Sequence, residues 1–284
     1  MSKAQVLKAL FESGELNVTP CCWNALSARL IEQAGFPLAF MSGFGVSASR
    51  LGQPDAGLIS YAEMVDQARN IASATSIPVI GDGDTGYGNA LNVKRTVKGY
   101  ASAGMACVMI EDQVAPKRCG HTKGKHVVER DEAFMRIRAA VDAKNEGADI
   151  LILARTDARA EHGLDEAIAR AKTFREIGAD MTFVEAPRTV EEMKRYCDEV
   201  EGPKMANMLE GGLTPFLQPA ELQELGYAIS TYPFTGLMAM IKAQQDALSQ
   251  MKQGIFPEPA MSFEDLQKAV GFDAYYEAEE RYRH

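Results

Sequence analysis

Eight short apolar runs, each followed by a segment of helical periodicity, recur from one end of the chain to the other. They are NVTPCC from Asn17, LAFMSG from Leu38, PVIGDGD from Pro78, ACVMIED from Ala106, DILILARTD from Asp149, MTFVEAP from Met181, KMANM from Lys204 and YAISTYP from Tyr227. Apolar strands alternating with amphipathic helices form a parallel sheet, because each crossover lays a helix on the sheet face. Eight such units predict closure into a (β/α)8 TIM-type barrel, with a doubly wound open sheet as the rival. Helices are predicted near 24–35, 60–75, 91–104, 131–147, 165–178, 189–200, 216–226 and 234–252. The third shows the pattern: Leu91, Val93, Val97 and Tyr100 recur at helical spacing with Lys94, Arg95 and Lys98 between them. AGM at Ala103, EGAD at Glu146 and IGAD at Ile177 put glycine where a helix ends and a strand begins.

A chain of 284 residues suits one barrel domain over 1–284, with a helical extension from about 255 to 284. In that extension, SFEDLQKAVGFDAYYEAEERYRH mixes aromatics with alternating charge, as either a subunit contact or a helix lying on its own barrel. The formal charge of -9 argues against a nucleic-acid surface, since such binding relies on Lys and Arg to neutralise phosphate. An anionic ligand therefore needs local cations or a metal. No apolar run reaches the length of a membrane span, and MSKAQVLKALFESGEL lacks the apolar core of a secretion signal, so a cytoplasmic protein is expected. Cysteines at 21, 22, 107, 119 and 197 form no CxxC pair and are odd in number, as expected of reduced thiols. Cys107 and Cys197 read as packing residues.

Chemistry-bearing residues gather at the C-terminal ends of the strands, where barrel enzymes build their sites. Ser42 and Gly43 follow the second strand, Asp82 and Asp84 the third, Glu111 and Asp112 the fourth, Arg155 and Asp157 the fifth; Glu185 closes the sixth and Asn207 the seventh. GDGDTGYGNA, from Gly81, combines two acids with glycines that let backbone approach a ligand, a pattern suited to a hard cation such as Mg2+. SGFG, from Ser42, offers successive backbone N–H groups to a carboxylate or enolate oxygen. Arg155 can grip a carboxylate through two parallel hydrogen bonds, or pair structurally with Asp157 or Glu185. KRCGH, from Lys117, sets Cys119 among cations in a polar loop, which favours a thiolate or a proton donor.

These motifs, with WNALSARLIEQAGF, MSGFGVSAS, EDQVAPKRCGH, ARTDAR and FVEAP, make the chain resemble the isocitrate lyase and phosphoenolpyruvate mutase superfamily over nearly its whole length. KRCGH is similar to the signature of the carbon–carbon lyase branch. The resemblance implies a Mg2+ site, with Mn2+ as a substitute, in which Asp84 binds metal directly and Asp82, Asp55 and Glu111 act largely through metal-bound water. It implies that Ser42, Gly43 and Phe44 surround an α-keto acid, that Arg155 holds its carboxylate, and that Gly120, His121, Glu185 and Asn207 complete the pocket. Cys119 would be the general acid, tuned by Lys117. The implied substrate is a 2-hydroxy or 2-keto dicarboxylate, and the implied assembly a homotetramer with C-terminal helices exchanged between subunits.

Two departures narrow the substrate. Met238 stands near the position where tricarboxylate lyases carry an arginine, and Met109 where they usually carry a histidine. Both favour an apolar C3 substituent, as in 2-alkylmalates or 2,3-dimethylmalate. Pro233 replaces the serine typical of oxaloacetate hydrolases. Methylisocitrate lyase, oxaloacetate hydrolase or decarboxylase, a phosphonomutase-type enzyme and a noncatalytic keto-acid-binding module are the alternatives.

Overall fold

The computed structural model describes residues 1–118, 120 and 124–283, so Cys119 and His121 lie outside the described residues. Eight strands form one parallel sheet: β1 (Asn17–Cys22), β2 (Ala39–Met41), β3 (Val79–Asp82), β4 (Cys107–Glu111), β5 (Leu151–Thr156), β6 (Met181–Val184), β7 (Met205–Asn207) and β8 (Ile229–Tyr232). Their order is β6-β5-β4-β3-β2-β1-β8-β7. A parallel bridge from Thr182 to Lys204 joins β6 to the start of β7 and brings the two ends of that order together. The expected (β/α)8 barrel is thus the observed fold.

Helices α1 (Lys3–Glu12), α2 (Ala25–Gln33), α3 (Gly43–Val46), α4 (Tyr61–Ser73), α5 (Ala90–Ser102), α6 (Arg130–Asn145), α7 (Arg159–His162), α8 (Leu164–Ile177), α9 (Val190–Glu199) and α10 (Pro219–Leu225) accompany the strands. A five-residue π-helix, Ser47–Leu51, continues α3. Local chemistry fixes the helix ends. Asn89 accepts from the backbone of Leu91 and Asn92 at 3.0 and 3.2 Å, and Ser60 forms a reciprocal cap with Glu63. Gly104, Gly147 and Gly178 take φ of 89°, 110° and 113°, the left-handed conformation expected at the three helix-to-strand turns.

The barrel interior is apolar below and polar above. Cys21, Leu38, Phe40, Ile80, Cys107, Met109, Leu151, Leu153, Met181, Phe183, Met205 and Ile229 pack together with Ala4 and Leu7 of α1. Leu7 is fully buried. α1 thus plugs the interior with its own apolar face, leaving the opposite strand ends for chemistry. It was not foreseen, although Ser2 and Gln5 form a capping box ahead of it.

The chain divides into two compact units, Met1–Thr235 and Gly236–His284. The second holds nearly all of α11 (Thr235–Lys252), together with α12 (Phe263–Val270) and α13 (Phe272–Glu280). No helix among the described residues is long and apolar enough to cross a membrane.

Candidate active site

Strand periodicity places the site. Side chains at every second position point inward, so the apolar interior residues Phe40, Ile80, Met109, Leu153, Phe183, Met205 and Ile229 are each followed two residues later by Ser42, Asp82, Glu111, Arg155, Glu185, Asn207 and Thr231. Ser42, Asp82, Arg155, Glu185, Asn207 and Thr231 line one cavity of about 70 Å³, with Phe44, Asp55, Lys117 and Gly120. That size suits a small oxyacid better than a nucleotide cofactor. Gly43, Asp84 and Glu111 stand just behind it, in contact with lining residues.

Asp82 is anchored at both oxygens: Oδ2 accepts the Gly43 N–H at 3.2 Å and Oδ1 the Asp84 N–H at 3.0 Å. This changes the expected role of SGFG. One of its donors already serves Asp82, and the Gly45 N–H goes to Ser42 Oγ at 3.2 Å, so the segment is a capped helical turn that braces an acid. A Cβ at Gly43 would fall 2.5 Å from Asp82 Oδ2, which requires glycine there. Asp84 takes a left-handed φ of 49°, an uncommon conformation for a side-chain-bearing residue.

Asp55 and Asp84 meet on one cation, with Asp82 bonded to the Asp84 backbone beside them. Lys117 Nζ lies 2.8 Å from a carboxylate oxygen of Asp55 and 2.8 Å from Asp84 Oδ1, all three side chains being 5% exposed. Burial alone would push the Lys117 pKa down, but Asp84, Asp82, Asp55 and Glu111 hold it well above its ordinary value. Burial pushes the Asp84 carboxyl up, with Asp82 and Asp55 adding to the effect and Lys117 opposing it. Asp55 Oδ1, Asp84 Oδ1 and Glu111 Oε1 are buried without a hydrogen bond, although Lys117 is within ion-pair distance of the first two.

Arg155 is held by three carboxylates. It donates to Asp157 from Nε at 2.8 Å and Nη2 at 3.1 Å, and lies 3.0 Å from Glu185 Oε2 and 3.3 Å from Glu111 Oε2. Burial would lower its pKa, but Asp157, Glu111 and Glu185 raise it well above the usual arginine value. Burial also drives Glu111 well upward, against Arg155 and Lys117. The structural pairing considered for Arg155 is present, and the residue still faces the cavity.

The remaining lining is apolar: Cys21, Phe40, Phe44, Met109, Phe183, Met205, Leu209, Pro233 and Phe234. Phe44 and Phe234 pack with ring centroids 4.6 Å apart. Of the three positions used to narrow the substrate, Met109 and Pro233 are both in this wall; Met238 belongs to the second unit. Sequence reasoning did not single out Cys21, Thr231 or Phe234 as lining residues. For Cys21 and Thr231 the period of two along β1 and β8 carried the signal.

The donor set fits a hard divalent cation in a particular way. Two acids share one ammonium with Asp82 beside them, so a dication would offset the remaining negative charge, and carboxylate oxygens are the ligands such an ion prefers. Among the described residues no three His, Cys, Asp or Glu side chains converge tightly enough to ligate one ion together. Mg2+ usually keeps several waters and takes only one or two carboxylates, which this donor set could supply.

A barrel with buried acids, a lysine and an arginine at its mouth defines an enzyme for small oxyacids. Residues 7–252 match the family model described as phosphoenolpyruvate phosphomutase. The chain is 42% identical to the 2,3-dimethylmalate lyase of Eubacterium barkeri, covering 99% of both chains. It is also 42% identical to the carboxyvinyl-carboxyphosphonate phosphorylmutase of Arabidopsis thaliana, over 96% of this chain and 83% of the relative, and to the 2-methylisocitrate lyase of Escherichia coli, over 81% and 78%. Among solved structures, an oxaloacetate acetylhydrolase bound to 3,3-difluorooxalacetate superposes with TM-score 0.95 at 36% identity, covering 98% of this chain and 96% of that one. A phosphonopyruvate hydrolase complex with oxalate and Mg2+ gives 0.88 at 30% identity, covering 99% of each. The chain belongs to the phosphoenolpyruvate mutase/isocitrate lyase superfamily. Within it, the chain is an enzyme of the carbon–carbon lyase class.

Proposed function

We propose that the chain cleaves a 2-alkylmalate or 2,3-dimethylmalate to an α-keto acid, such as pyruvate, and a carboxylate, with Mg2+ as cofactor. The observation that carries this reading is the junction of the buried acid cluster and Arg155 with an apolar wall containing Met109 and Pro233. That wall accommodates an alkyl-bearing C3 without a partner for a third carboxylate. The relationship to 2,3-dimethylmalate lyase over the whole length adds support.

Asp84, with Asp82, Asp55 and Glu111 through water, would hold the ion. Bound there, Mg2+ supplies Lewis acidity that stabilises negative charge on the substrate's C2 oxygen. Ser42 and Phe44 flank the keto-acid portion, Arg155 faces its carboxylate, and Asn207 and Glu185 fix its orientation. As the C2 hydroxyl passes its proton to a carboxylate of the acid cluster, its electrons form the C2 carbonyl and the C2–C3 bond breaks. The bond pair passes to C3 and its carboxylate as an enolate. Cys119 gives its proton to C3, completing the second product, a step of the kind that contributes about 10²–10⁴-fold. Lys117 balances the charge of Asp55 and Asp84. His121 would complete the substrate contacts.

Steady-state comparison of 2,3-dimethylmalate with 2-methylisocitrate tests the assignment. The former is expected to have the greater kcat/KM, and the reverse order would overturn it. The similarity to oxaloacetate acetylhydrolase favours oxaloacetate as a second substrate to assay, through release of oxalate. For the assembly, the exposed Phe263, Leu266, Phe272 and Tyr275 of α12 and α13 support a homotetramer built through the C-terminal helices. Light scattering after size exclusion reads its mass directly, and a monomer would refute it.

A further inference from the structure

Lys125 is a buried cation to which the reaction above gives no part. Its side chain is 6% exposed, and its ammonium lies 2.9 Å from Asp157 Oδ1 while donating to the carbonyl of Gly120. Asp157, in turn, grips Arg155 through both oxygens. A Cβ on Gly120 would meet Arg155 Nη2 and fall 2.6 Å from Glu185 Oε2, so the Gly120 backbone rests directly on that ion pair. Gly120, Lys125, Asp157 and Arg155 therefore close a ring.

The ring is braced from outside. Asp112 accepts the Asp157 N–H at 2.9 Å, the Thr156 hydroxyl at 2.6 Å and Arg170 Nη1 at 3.0 Å, which ties Asp157 to α8. Burial would raise the Asp157 pKa, but Arg155 and Lys125 hold it well below the ordinary carboxylate range. Downstream, Glu161 of α7 accepts the Val127 N–H at 3.1 Å and contacts His126 Nδ1 at 2.9 Å. A buried ammonium is expensive to desolvate, and an apolar residue would fill the same space. What an ammonium adds is several donors, enough to join a peptide carbonyl to a carboxylate.

We propose that Lys125 is a positioning residue: by bridging the Gly120 carbonyl to Asp157 it sets the Gly120 peptide on Arg155 and Glu185, in the wall of the cavity. The consequence for turnover rests on the reading of Cys119 as proton donor. The bridge itself is separable from that reading.

The test uses Lys125→Met and Lys125→Arg with Mg2+ and oxalate as the probe. In the parent enzyme, oxalate with Mg2+ is expected to slow iodoacetamide labelling of Cys119 at least tenfold, followed by mass spectrometry of the Cys119 peptide. Lys125→Met should lose most of that protection and about 10²-fold in kcat, with KM within threefold and Tm nearly unchanged. Lys125→Arg should restore part of both, since a guanidinium can also span the two acceptors. Parent-like protection and kcat in Lys125→Met would overturn the proposal. So would parallel losses in kcat, KM and Tm that arginine does not rescue, because these mark a merely structural residue. Full cleavage by Cys119→Ser would reject the donor reading alone; the labelling comparison at Lys125 would still decide whether the bridge places this segment.

Discussion

Gly120→Ala is a sharp test of how closely the Gly120 peptide must approach Arg155 and Glu185. The added methyl would sit 2.6 Å from Glu185 Oε2 and 2.7 Å from Glu185 Cδ, where an ordinary contact begins at 3.4 Å. Arg155 Nη2 lies closer still, so something must move by about 1 Å. Arg155 is the costlier group to move: it engages Asp157, Glu185 and Glu111, and charge-assisted bonds of this kind are worth about 1.5–3 kcal/mol each. Among the described residues Lys125 is the side-chain donor on the Gly120 carbonyl, so the peptide should lift from its place in the cavity wall. A misplacement near 1 Å costs about 10²-fold in rate, or about 2.7 kcal/mol of transition-state stabilisation. Pyruvate release from 2,3-dimethylmalate, coupled to NADH oxidation by lactate dehydrogenase, reads kcat, and calorimetry reads stability. The expected result is a kcat loss of about 10²-fold with KM within a few-fold and Tm little changed. A kcat within threefold of the parent would show that the contact does not constrain the reaction.

Leu7→Ala should remove the apolar plug and destabilise the fold by about 2–5 kcal/mol in urea unfolding, while native enzyme keeps its kcat; an unaffected midpoint would refute the role given to α1. Tyr196→Phe deletes the 2.8 Å hydrogen bond to the buried Thr182 hydroxyl and should cost about 1–3 kcal/mol in the same assay. Glu166 is held at about 2, chiefly by its hydrogen bond to Arg130 with help from Arg170 and against some desolvation. Because this pKa is depressed from an unfolded value near 4.3, its stabilisation is complete above about pH 5 and is lost as pH falls toward 2. Arg130 is 55% exposed, so Glu166→Gln should cost only about 1 kcal/mol at pH 7, and progressively less as pH falls below about 5. A gap independent of pH would refute the assignment. Chelation by EDTA should abolish turnover and lower Tm, and Mg2+ should restore both; full activity after verified metal removal would refute the cofactor assignment.

Most of the architecture was legible because a barrel strand carries two messages at once. Its apolar run fixes that it is buried, and the phase of its inward positions fixes which terminal residue enters the site. Ile80 to Asp82, Leu153 to Arg155 and Phe183 to Glu185 are the same step of two, taken on three strands. The period says nothing of residues that reach the cavity from loops. Asp55 and Lys117 were found by resemblance, and Phe234 was not found at all. Nor does it show how a polar group's hydrogen bonds are spent: the SGFG amides read as free donors, whereas Gly43 and Gly45 are committed to Asp82 and Ser42. Lys125 illustrates the limit most clearly. Its partners are separated from it by 5 residues on one side and 32 on the other, so neither strand phase nor helix spacing could pair them. Only the parallel pairing of β4 with β5 brings Asp157 to the segment that ends in Lys125, and only there does a loop lysine become a bridge between backbone and arginine clamp.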